Sequence, residues 1–338
     1  MPALAVAEAL RARGAEVTFA GTPGRIEATL VPQAGFAFDP FEVSGFPRRV
    51  GVDLLRALAR AGKAPFACRA ILARRQPDVV LGGGGYVAGP MVLGAWTKRI
   101  PAALTEADAH LGLANRLAAP FARRVFLSFP IDGKAEPKYV VTGRPVPERS
   151  TPSDVPAARR LFGLPEQGTV LLVFGGSQGA HALNELVVEA FGQAGPAILH
   201  LTGERDYASV RQRARRADYR VHAFTDDFGA ALAACDLGLA RAGGSVWELA
   251  AAGKPAILVP YPYATADHQA KNAEYFARDG GGIVVKEADI LAVPDLVRSL
   301  LGDRERLARM GEAMRRLARP DAAARIAREL ILLAQGGA

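Results

Sequence analysis

Short apolar runs alternate with helical segments along nearly the whole chain, and this alternation is the feature that most restricts its fold. We expect strands at Glu16–Ala20, Val79–Leu81, Ala102–Leu104, Arg124–Leu127, Tyr139–Val141, Val170–Phe174, Ala197–Leu201, Arg220–Ala223, Leu237–Ala240 and Ala256–Val259. Helical patterns lie between them, including Leu54–Ala73, in which Pro65 is a candidate break, and Tyr86–Trp96. Strands that alternate with helices of about 10–15 residues indicate βαβ units. The pattern therefore predicts an α/β fold with parallel sheets.

The chain has 338 residues, which is enough for two domains. A segment rich in proline and serine, residues 141–153, separates the two halves of the pattern, and we interpret it as a linker. We expect an N-terminal Rossmann-like domain over residues 1–147 and a C-terminal one over 148–318, facing each other across a cleft. The last helix, within residues 319–338, is expected to pack back on the N-terminal domain.

Composition excludes several classes of protein. The two cysteines, Cys68 and Cys235, each lie in an apolar stretch, so we expect small buried side chains rather than a disulfide framework or a zinc site. The five histidines lack zinc-ligand spacing, and His200 and His222, near strands, are expected to be structural. Asp226 and Asp227 are interpreted as a helix N-cap pair rather than as metal ligands. No leader and no apolar run of about 20 residues is found, which predicts a soluble or peripheral protein.

Positive charge is concentrated in one segment. The formal net charge is +8, and residues 48–75 carry eight basic side chains against one acidic side chain, with apolar residues between them. A basic amphipathic segment suits an anionic membrane surface, and a solvated helix face is the alternative. No recognition module or set of stacking aromatics accompanies the charge, which argues against nucleic acid. The candidate membrane-facing residues are Arg48, Arg49, Arg56, Arg60 and Lys63.

The strongest local motif is a glycine-rich turn between an apolar strand and a helix, Gly175-Gly-Ser-Gln-Gly179. Glycines let the backbone approach a ligand closely, and the helix N-terminus offers free N–H groups, so the turn predicts phosphate binding with the Ser177 hydroxyl beside it. It lacks the Gly-Lys-Ser/Thr ending of a Walker loop. The same residues also match G-x-S-x-G, the nucleophile elbow of α/β-hydrolases, for which Asp236 and His268 are the nominal partners.

Two further glycine clusters follow strands. Gly82–Pro90 lies at the end of a predicted parallel strand, where open sheets bind ligands. Arg241–Gly253 repeats the order of strand, glycines and helix, with Ser245 in the first turn and Glu248 three residues later. Glu248 is a candidate to accept hydrogen bonds from a ribose diol. The Ser-x-x-Glu spacing equally matches a capping box, and this motif alone does not decide between the two interpretations.

Together these motifs resemble the MurG family of bacterial glycosyltransferases, which add N-acetylglucosamine to lipid I. The resemblance covers nearly the whole chain. Five motifs carry it, in the order found in the family: Gly84-Gly-Tyr-Val-Ala-Gly-Pro90, Gly175-Gly-Ser-Gln-Gly-Ala180, Phe224-Thr-Asp-Asp227, Glu248-Leu-Ala-Ala-Ala-Gly-Lys-Pro255 and Asp267-His-Gln-Ala-Lys-Asn272. It implies a glycosyltransferase-B fold, UDP-N-acetylglucosamine bound mainly by the C-terminal domain, and an undecaprenyl-pyrophosphoryl acceptor at the cytoplasmic face of the inner membrane.

The resemblance also implies roles for individual residues. Thr225 would contact uracil through its backbone and Glu248 the ribose hydroxyls. Gly244, Ser245 and Ser177 would face the phosphates, and Gln269 with His268 would contact the sugar ring. The acceptor loop would include Gly84, Gly85, Tyr86 and Glu106. Such enzymes invert the anomeric centre, and helix dipoles and backbone donors offset the charge on the departing UDP, so neither a metal nor a cofactor is implied for that role.

The chain departs from the family pattern in three places. Glu106-Ala107-Asp108 stands where the family has Glu-Gln-Asn, so Asp108 replaces the amide expected near the sugar. The family's Gly-Asn-Pro-Val-Arg is Gly143-Arg-Pro-Val-Pro147, which leaves Arg144 or Arg149 as the substitute arginine, and the loop Arg241–Glu248 is one residue short. Alternative functions are a glycolipid synthase with a diacylglycerol acceptor, a non-hydrolysing UDP-N-acetylglucosamine epimerase, or a chain that only binds UDP.

The sequence starts with a helical pattern, and Pro2 suits the first turn of a helix. A Rossmann-like sheet ordinarily opens with a strand and a glycine-rich turn before that helix. In the family this turn reads Gly-Gly-Thr-Gly-Gly-His and carries the expected catalytic base. We therefore expect the N-terminal domain to lack its first strand and turn, and we assign no catalytic base within the chain.

Overall fold

The computed structural model describes residues 2–43, 52–152, 154–176 and 180–336, and of residues 52–63 and Arg149 it describes only the backbone. The chain divides into two compact units. Unit 1 comprises Met1–Pro145 with Asp321–Ala338, and unit 2 comprises Val146–Pro320. Each unit has its own hydrophobic core.

Unit 2 is built on one parallel sheet of six strands. They are β7 (Val170–Phe174), β8 (Ala197–Leu201), β9 (Tyr219–His222), β10 (Leu237–Ala240), β11 (Ala256–Leu258) and β12 (Gly282–Val284). Their spatial order is β12-β11-β10-β7-β8-β9, the strand order of doubly wound dinucleotide-binding sheets. Every residue of β7 and β10 is buried, which explains why these strands are continuous apolar runs.

Eight helices accompany this sheet among the described residues of unit 2. They are α6 (Val155–Leu161), α7 (His181–Phe191), α8 (Glu204–Arg213), α9 (Phe228–Ala234), α10 (Val246–Ala251), α11 (His268–Arg278), α12 (Val293–Leu301) and α13 (Arg304–Leu317). Single turns of 3-10 helix occur at Glu148–Ser150 and Thr265–Asp267, and Glu287–Ala292 is a longer 3-10 segment. Because all strand pairs are parallel, the carboxyl ends of the strands share one edge of the sheet.

Unit 1 contains two parallel sheets. The strands β1 (Thr18–Gly21) and β2 (Ala37–Pro40) form one sheet, and β3 (Val80–Gly82), β4 (Ala102–Glu106), β5 (Arg124–Leu127) and β6 (Tyr139–Val141) form the other in that order. The helices are α1 (Pro2–Arg11), α2 (Glu27–Gln33), α3 (Val52–Arg75), α4 (Gly85–Thr97), α5 (Leu113–Ala118) and α14 (Ala322–Ala334). Helix α14 packs against α1, and its buried Ile326, Leu330 and Leu333 share a core cluster with Val6 and Phe126.

The α/β fold with parallel sheets is confirmed. The predicted strands at Arg124–Leu127, Val170–Phe174 and Leu237–Ala240 have the observed bounds. Two short strands were not predicted: β2 contains aspartate and proline, and β12 has only three residues and begins with glycine. The proposed break at Pro65 is wrong, because the helix α3 continues through this residue.

The cysteine prediction is also confirmed, since both thiols are buried and burial raises the pKa of Cys68 and of Cys235 to about 12. In the part of the chain that the structure describes, no helix combines the length and the apolar composition needed to cross a membrane.

Candidate functional site

The sheet of unit 2 brings the two predicted phosphate turns together. Phe174 at the end of β7 pairs with Ala240 at the end of β10, so the turns that follow these strands begin side by side. From this point β8 and β11 lie on opposite sides, which makes it the topological switch point where open α/β sheets bind ligands. Gly176 has φ +82°, a conformation that favours glycine. Ser177 lies outside the described residues.

Glu248 lies in the first turn of α10, directly after the glycines that follow β10. The hydroxyl of Ser150 donates a hydrogen bond of 2.5 Å to Glu248 Oε1. Ser245 occupies the N-cap position, but its backbone is helical (φ −67°, ψ −10°) and its side chain makes no capping hydrogen bond. The capping-box alternative is therefore wrong, and Glu248 is directed to a partner far away in the sequence. Gly244 precedes Ser245 in the same turn.

Thr225 follows β9 at the same edge of the sheet. Its hydroxyl accepts a hydrogen bond from the Asp227 backbone N–H at 3.2 Å, which shapes the turn. Asp227 is the N-cap of α9 and accepts from the Ala230 N–H at 2.9 Å, as the N-cap interpretation predicts. Phe224 beside Thr225 is 64% exposed, so this turn presents an aromatic ring to solvent.

The predicted sugar-binding pair, His268 and Gln269, lies in the first turn of α11, after the loop that follows β11. The Oε1 atom of Gln269 accepts from the Tyr261 N–H at 2.9 Å, which leaves the amide nitrogen able to donate to a ligand. His268 begins α11, and its Nδ1 donates to the Thr265 carbonyl at 2.8 Å. Ala266 and Asp267 both have positive φ, +53° and +54°, which is costly for residues other than glycine. Strained backbone of this kind is common at ligand sites.

Arg241 ties this loop to the end of β10. Its buried guanidinium donates to the carbonyls of Val259 and Pro260 at 3.2 and 3.3 Å and forms an ion pair with Glu287. It also lies over the ring of Tyr261, 5.5 Å from the centroid. The loop before α11 is thus attached to the end of β10.

The hydrolase interpretation of the glycine turn is wrong. Asp236 precedes β10, so it lies at the amino end of the strand, opposite the edge that carries the glycine turn and His268. Its Oδ2 accepts from Arg159 at 3.0 Å and from the Val170 N–H at 2.8 Å. It therefore supports the start of the sheet and has no access to His268.

A buried polar network joins α7, α8, β8 and β9. His200 is fully buried, with Nδ1 2.8 Å from the Tyr219 hydroxyl and Nε2 3.0 Å from Asn184 Oδ1. The Asn184 amide nitrogen donates to Asp206, whose other oxygen lies 3.1 Å from His181 Nδ1. Burial lowers the pKa of His200 to about 3, although the charge of Asp206 opposes this shift. The structural role predicted for this histidine is confirmed.

In unit 1, the predicted acceptor and sugar residues again follow strands. Gly84 is the N-cap of α4 and Gly85 its first residue, with φ +93° and +69°, and Tyr86 is half-buried in the first turn of this helix. Asp108 lies in the loop after β4, and Arg144 follows β6. These residues belong to unit 1, and the predicted donor residues from Thr225 to Gln269 belong to unit 2.

Glu106 organises the loop that contains Asp108. Its Oε1 accepts from the N–H groups of Ala107 and Asp108 at 2.9 and 3.2 Å, and its Oε2 accepts from the Gly112 N–H and the Asn115 amide at 2.9 and 2.8 Å. The carboxylate is only 6% exposed. Both oxygens are therefore used to shape the loop.

The basic segment is described only in part. Arg48 and Arg49 lie outside the described residues, and the side chains of Arg56, Arg60 and Lys63 on α3 do too. The structure shows four large exposed apolar side chains on the packed helices α3, α4 and α5. They are Phe66, Trp96, Leu113 and Leu117, each more than half exposed, and we call them the apolar surface of unit 1.

Sequence reasoning missed Ser150. It lies in the segment interpreted as a linker, and no motif connects it to Glu248, which is 98 positions away. Across the described residues, no group of three or more histidine, cysteine or carboxylate side chains is arranged to hold a metal ion.

Comparisons with known proteins agree with this geometry. Residues 1–127 match the family model of the glycosyltransferase family 28 N-terminal domain, and residues 170–326 match that of the C-terminal domain. A relative from Acidithiobacillus ferrooxidans is named UDP-N-acetylglucosamine–N-acetylmuramyl-(pentapeptide) pyrophosphoryl-undecaprenol N-acetylglucosamine transferase. It is 43% identical over 99% of this chain and 94% of its own.

Solved structures show the same architecture. The crystal structure of Acinetobacter baumannii MurG superposes with a TM-score of 0.78 at 28% identity and covers 98% of this chain and 95% of its own. A UDP-N-acetylglucosamine 2-epimerase from Neisseria meningitidis, bound to UDP-N-acetylglucosamine, has a TM-score of 0.66 at 14% identity and covers 97% and 95%. That second likeness shows the fold alone, so it lends no weight to the epimerase alternative.

Proposed function

This chain belongs to glycosyltransferase family 28, and on that premise we propose that it transfers N-acetylglucosamine from UDP-N-acetylglucosamine to lipid I. The acceptor is undecaprenyl-pyrophosphoryl-N-acetylmuramoyl-pentapeptide, and the product is lipid II of peptidoglycan synthesis. The observation that carries the proposal is the near-full-length identity of 43% to a relative named for this reaction. The site in unit 2 supports it, because the strands before the two glycine turns end side by side at the switch point of a doubly wound sheet, and Glu248 lies in the helix turn after the second.

The donor would bind at the carboxyl edge of the sheet in unit 2. Thr225 would contact the uracil through its backbone, and Glu248 would accept hydrogen bonds from the ribose. Gly244, Ser245 and Ser177 would face the diphosphate, whose charge the N-terminus of α7 also offsets. Gln269, through its amide nitrogen, and His268 would contact the sugar.

Asp108 and Arg144 of unit 1 are proposed as further sugar and phosphate contacts. Glu106, Gly84, Gly85 and Tyr86 would shape the acceptor region. The acceptor hydroxyl would attack the anomeric carbon directly, with inversion, as UDP leaves. Helix N-termini and backbone N–H groups would stabilise the charge that develops on the leaving diphosphate.

A transfer assay tests this function. Radiolabelled UDP-N-acetylglucosamine is incubated with lipid I, with diacylglycerol, or with no acceptor, and the products are separated. We expect labelled lipid II with lipid I alone and inversion at the new bond. Labelled glycolipid from diacylglycerol alone, or an isomerised UDP-sugar without acceptor, would contradict the proposal.

We also propose that the protein is peripheral at the cytoplasmic face of the membrane. The exposed side chains of Phe66, Trp96, Leu113 and Leu117 support this, since exposed apolar groups can insert into a bilayer and the sequence segment 48–75, which contains Phe66, is rich in basic residues that suit an anionic surface. The basic residues are Arg48, Arg49, Arg56, Arg60 and Lys63.

Sedimentation with vesicles of anionic phospholipid tests the membrane proposal. Leu117→Ser should weaken vesicle binding about fivefold to tenfold, because burial of an apolar side chain in a bilayer contributes about 1–1.4 kcal/mol even when partial. Leu161→Ser is the matched control, since Leu161 is 62% exposed and Leu117 66%, and Leu161 lies in unit 2. Equal loss in both variants would refute a specific membrane surface.

A further inference from the structure

The hydrogen bond between Ser150 and Glu248 is a long-range contact at the proposed donor site, and the proposed roles do not use it. Ser150 is 2% exposed, and its hydroxyl lies 2.5 Å from Glu248 Oε1. This distance is typical of a hydroxyl that donates to a charged carboxylate. Such a bond restrains the side chain of Glu248, which otherwise has several rotatable bonds.

The backbone around Ser150 fixes the position of its hydroxyl. Glu148–Ser150 is a single 3-10 turn, closed by the Ser150 N–H to the Pro147 carbonyl at 2.9 Å and by the Thr151 N–H to the Glu148 carbonyl at 2.8 Å. The turn packs against α9, the helix that begins three residues after Thr225. Ser150 therefore belongs to a turn that packs against the helix following Thr225, and its hydroxyl bonds to the carboxylate proposed to bind the ribose.

We propose that Ser150 is a positioning residue for ribose recognition: its hydroxyl orients the Glu248 carboxylate so that it accepts from the two hydroxyls of the nucleotide. This inference rests on the proposed donor site. A vicinal diol is bound well only when the carboxylate has a defined orientation, because two hydrogen bonds must form at once. When the carboxylate is oriented before the ligand binds, less entropy is lost on binding. Ser150 would not contact the nucleotide itself.

Calorimetric titration with two ligands separates this role from a merely structural one. The ligands are UDP and 2′,3′-dideoxy-UDP, which lacks the ribose hydroxyls. Ser150→Ala should weaken UDP binding about fivefold to tenfold, the size expected for one hydrogen bond of ordinary strength, and leave dideoxy-UDP binding unchanged. Glu248→Ala should abolish the preference for UDP, and Ser150→Ala should then have no further effect in that background.

Ser128→Ala is the matched control, because Ser128 is also buried, at 4% exposure, but lies in unit 1. It should change neither affinity. Three outcomes would overturn the inference: equal weakening of both ligands by Ser150→Ala, which would indicate support of the fold alone; tighter UDP binding, which would indicate competition with the ribose; or a preference for UDP that survives Glu248→Ala.

The transfer assay keeps the two proposals distinguishable. If the wild-type protein forms lipid II but Ser150→Ala does not reduce the preference for UDP over dideoxy-UDP, the positioning role is overturned and the proposed function stays supported. If Ser150→Ala reduces the preference for UDP but the wild-type protein transfers no sugar to lipid I, the positioning role is supported and the proposed function is contradicted.

Discussion

Replacement of the buried His200 by glutamine should make the free energy of unfolding of unit 2 less dependent on pH in acid, because one group that takes up a proton on unfolding is lost. The Asn184 amide donates to Thr202 and Asp206, so its oxygen faces His200 and must accept the Nε2 proton. The Nδ1 atom then accepts from the Tyr219 hydroxyl. The network therefore holds a neutral imidazole, and burial lowers its pKa from 6.5 to about 3.

The sign and size follow from proton linkage. Below pH 6.5 the unfolded chain binds a proton at His200 that the folded chain does not bind, so the free energy of unfolding falls as the pH falls from about 6.5 to about 3. At 1.36 kcal/mol for each pH unit, this residue should cost about 2.7 kcal/mol at pH 4.5 relative to neutral pH. His200→Gln can keep one donor and one acceptor in the network, so we expect a loss of about 1–2 kcal/mol at pH 7 and a shallower acid slope.

Urea unfolding from pH 4.5 to 7 measures both quantities. The tryptophans are Trp96 in unit 1 and Trp247, which is 1% exposed, in unit 2, so fluorescence in a Trp96→Phe background reports on unit 2. Between pH 6.5 and 4.5 the slope should fall by about 1.4 kcal/mol per pH unit in His200→Gln. His110→Gln, which removes an imidazole from unit 1, should leave it unchanged. Parallel curves for wild type and His200→Gln would refute the neutral buried imidazole.

Two further predictions concern the loop after β4 and the packing of α13. Glu106→Gln should destabilise unit 1 by about 2–3 kcal/mol and lower the rate of transfer to lipid I, because an amide NH2 would then face N–H groups that now donate to the carboxylate. Urea unfolding followed by Trp96 fluorescence measures the stability, and an unchanged unfolding curve would contradict the prediction. Gly311→Ala should lower the free energy of unfolding by about 1–3 kcal/mol, since a Cβ there would lie 2.6 Å from the Gly253 carbonyl oxygen. Gly302→Ala is the control and should be nearly neutral, because the nearest atom to its Cβ is at 3.4 Å. Equal effects on unfolding would show that the close contact is not the cause.

Much of the sheet architecture follows from the sequence because the central strands are buried on both faces. Val170–Phe174 has five consecutive buried apolar residues, and such a run is readable without knowledge of its neighbours. Edge strands lack that signal. The strand β12 has one neighbour in the sheet and only its first residue is fully buried, so its sequence, Gly-Ile-Val, is too short to distinguish from a turn.

The proposed donor site is predictable to the extent that it depends on strand ends. The turns that begin at Gly175 and Gly243 follow β7 and β10. These strands are neighbours because the sheet has the doubly wound strand order, so the two turns begin close together. Contacts between distant segments are not predictable in this way. The partner of Glu248 comes from the linker side of unit 2, and nothing in the local sequence of Ser150 encodes the packing of its turn against α9.

The two interpretations of Ser245-x-x-Glu248 can be distinguished only when the backbone conformation of Ser245 is known. A capping serine requires an extended backbone so that its hydroxyl can reach the N–H groups of the first turn. The turn after β10 instead places Ser245 in the helical region, where its carbonyl, not its side chain, accepts from the Glu248 N–H at 3.1 Å. Glu248 is therefore not drawn back to the helix start and can accept a hydrogen bond from Ser150. The backbone conformation of one residue thus decides whether this carboxylate caps a helix or bonds to a distant segment.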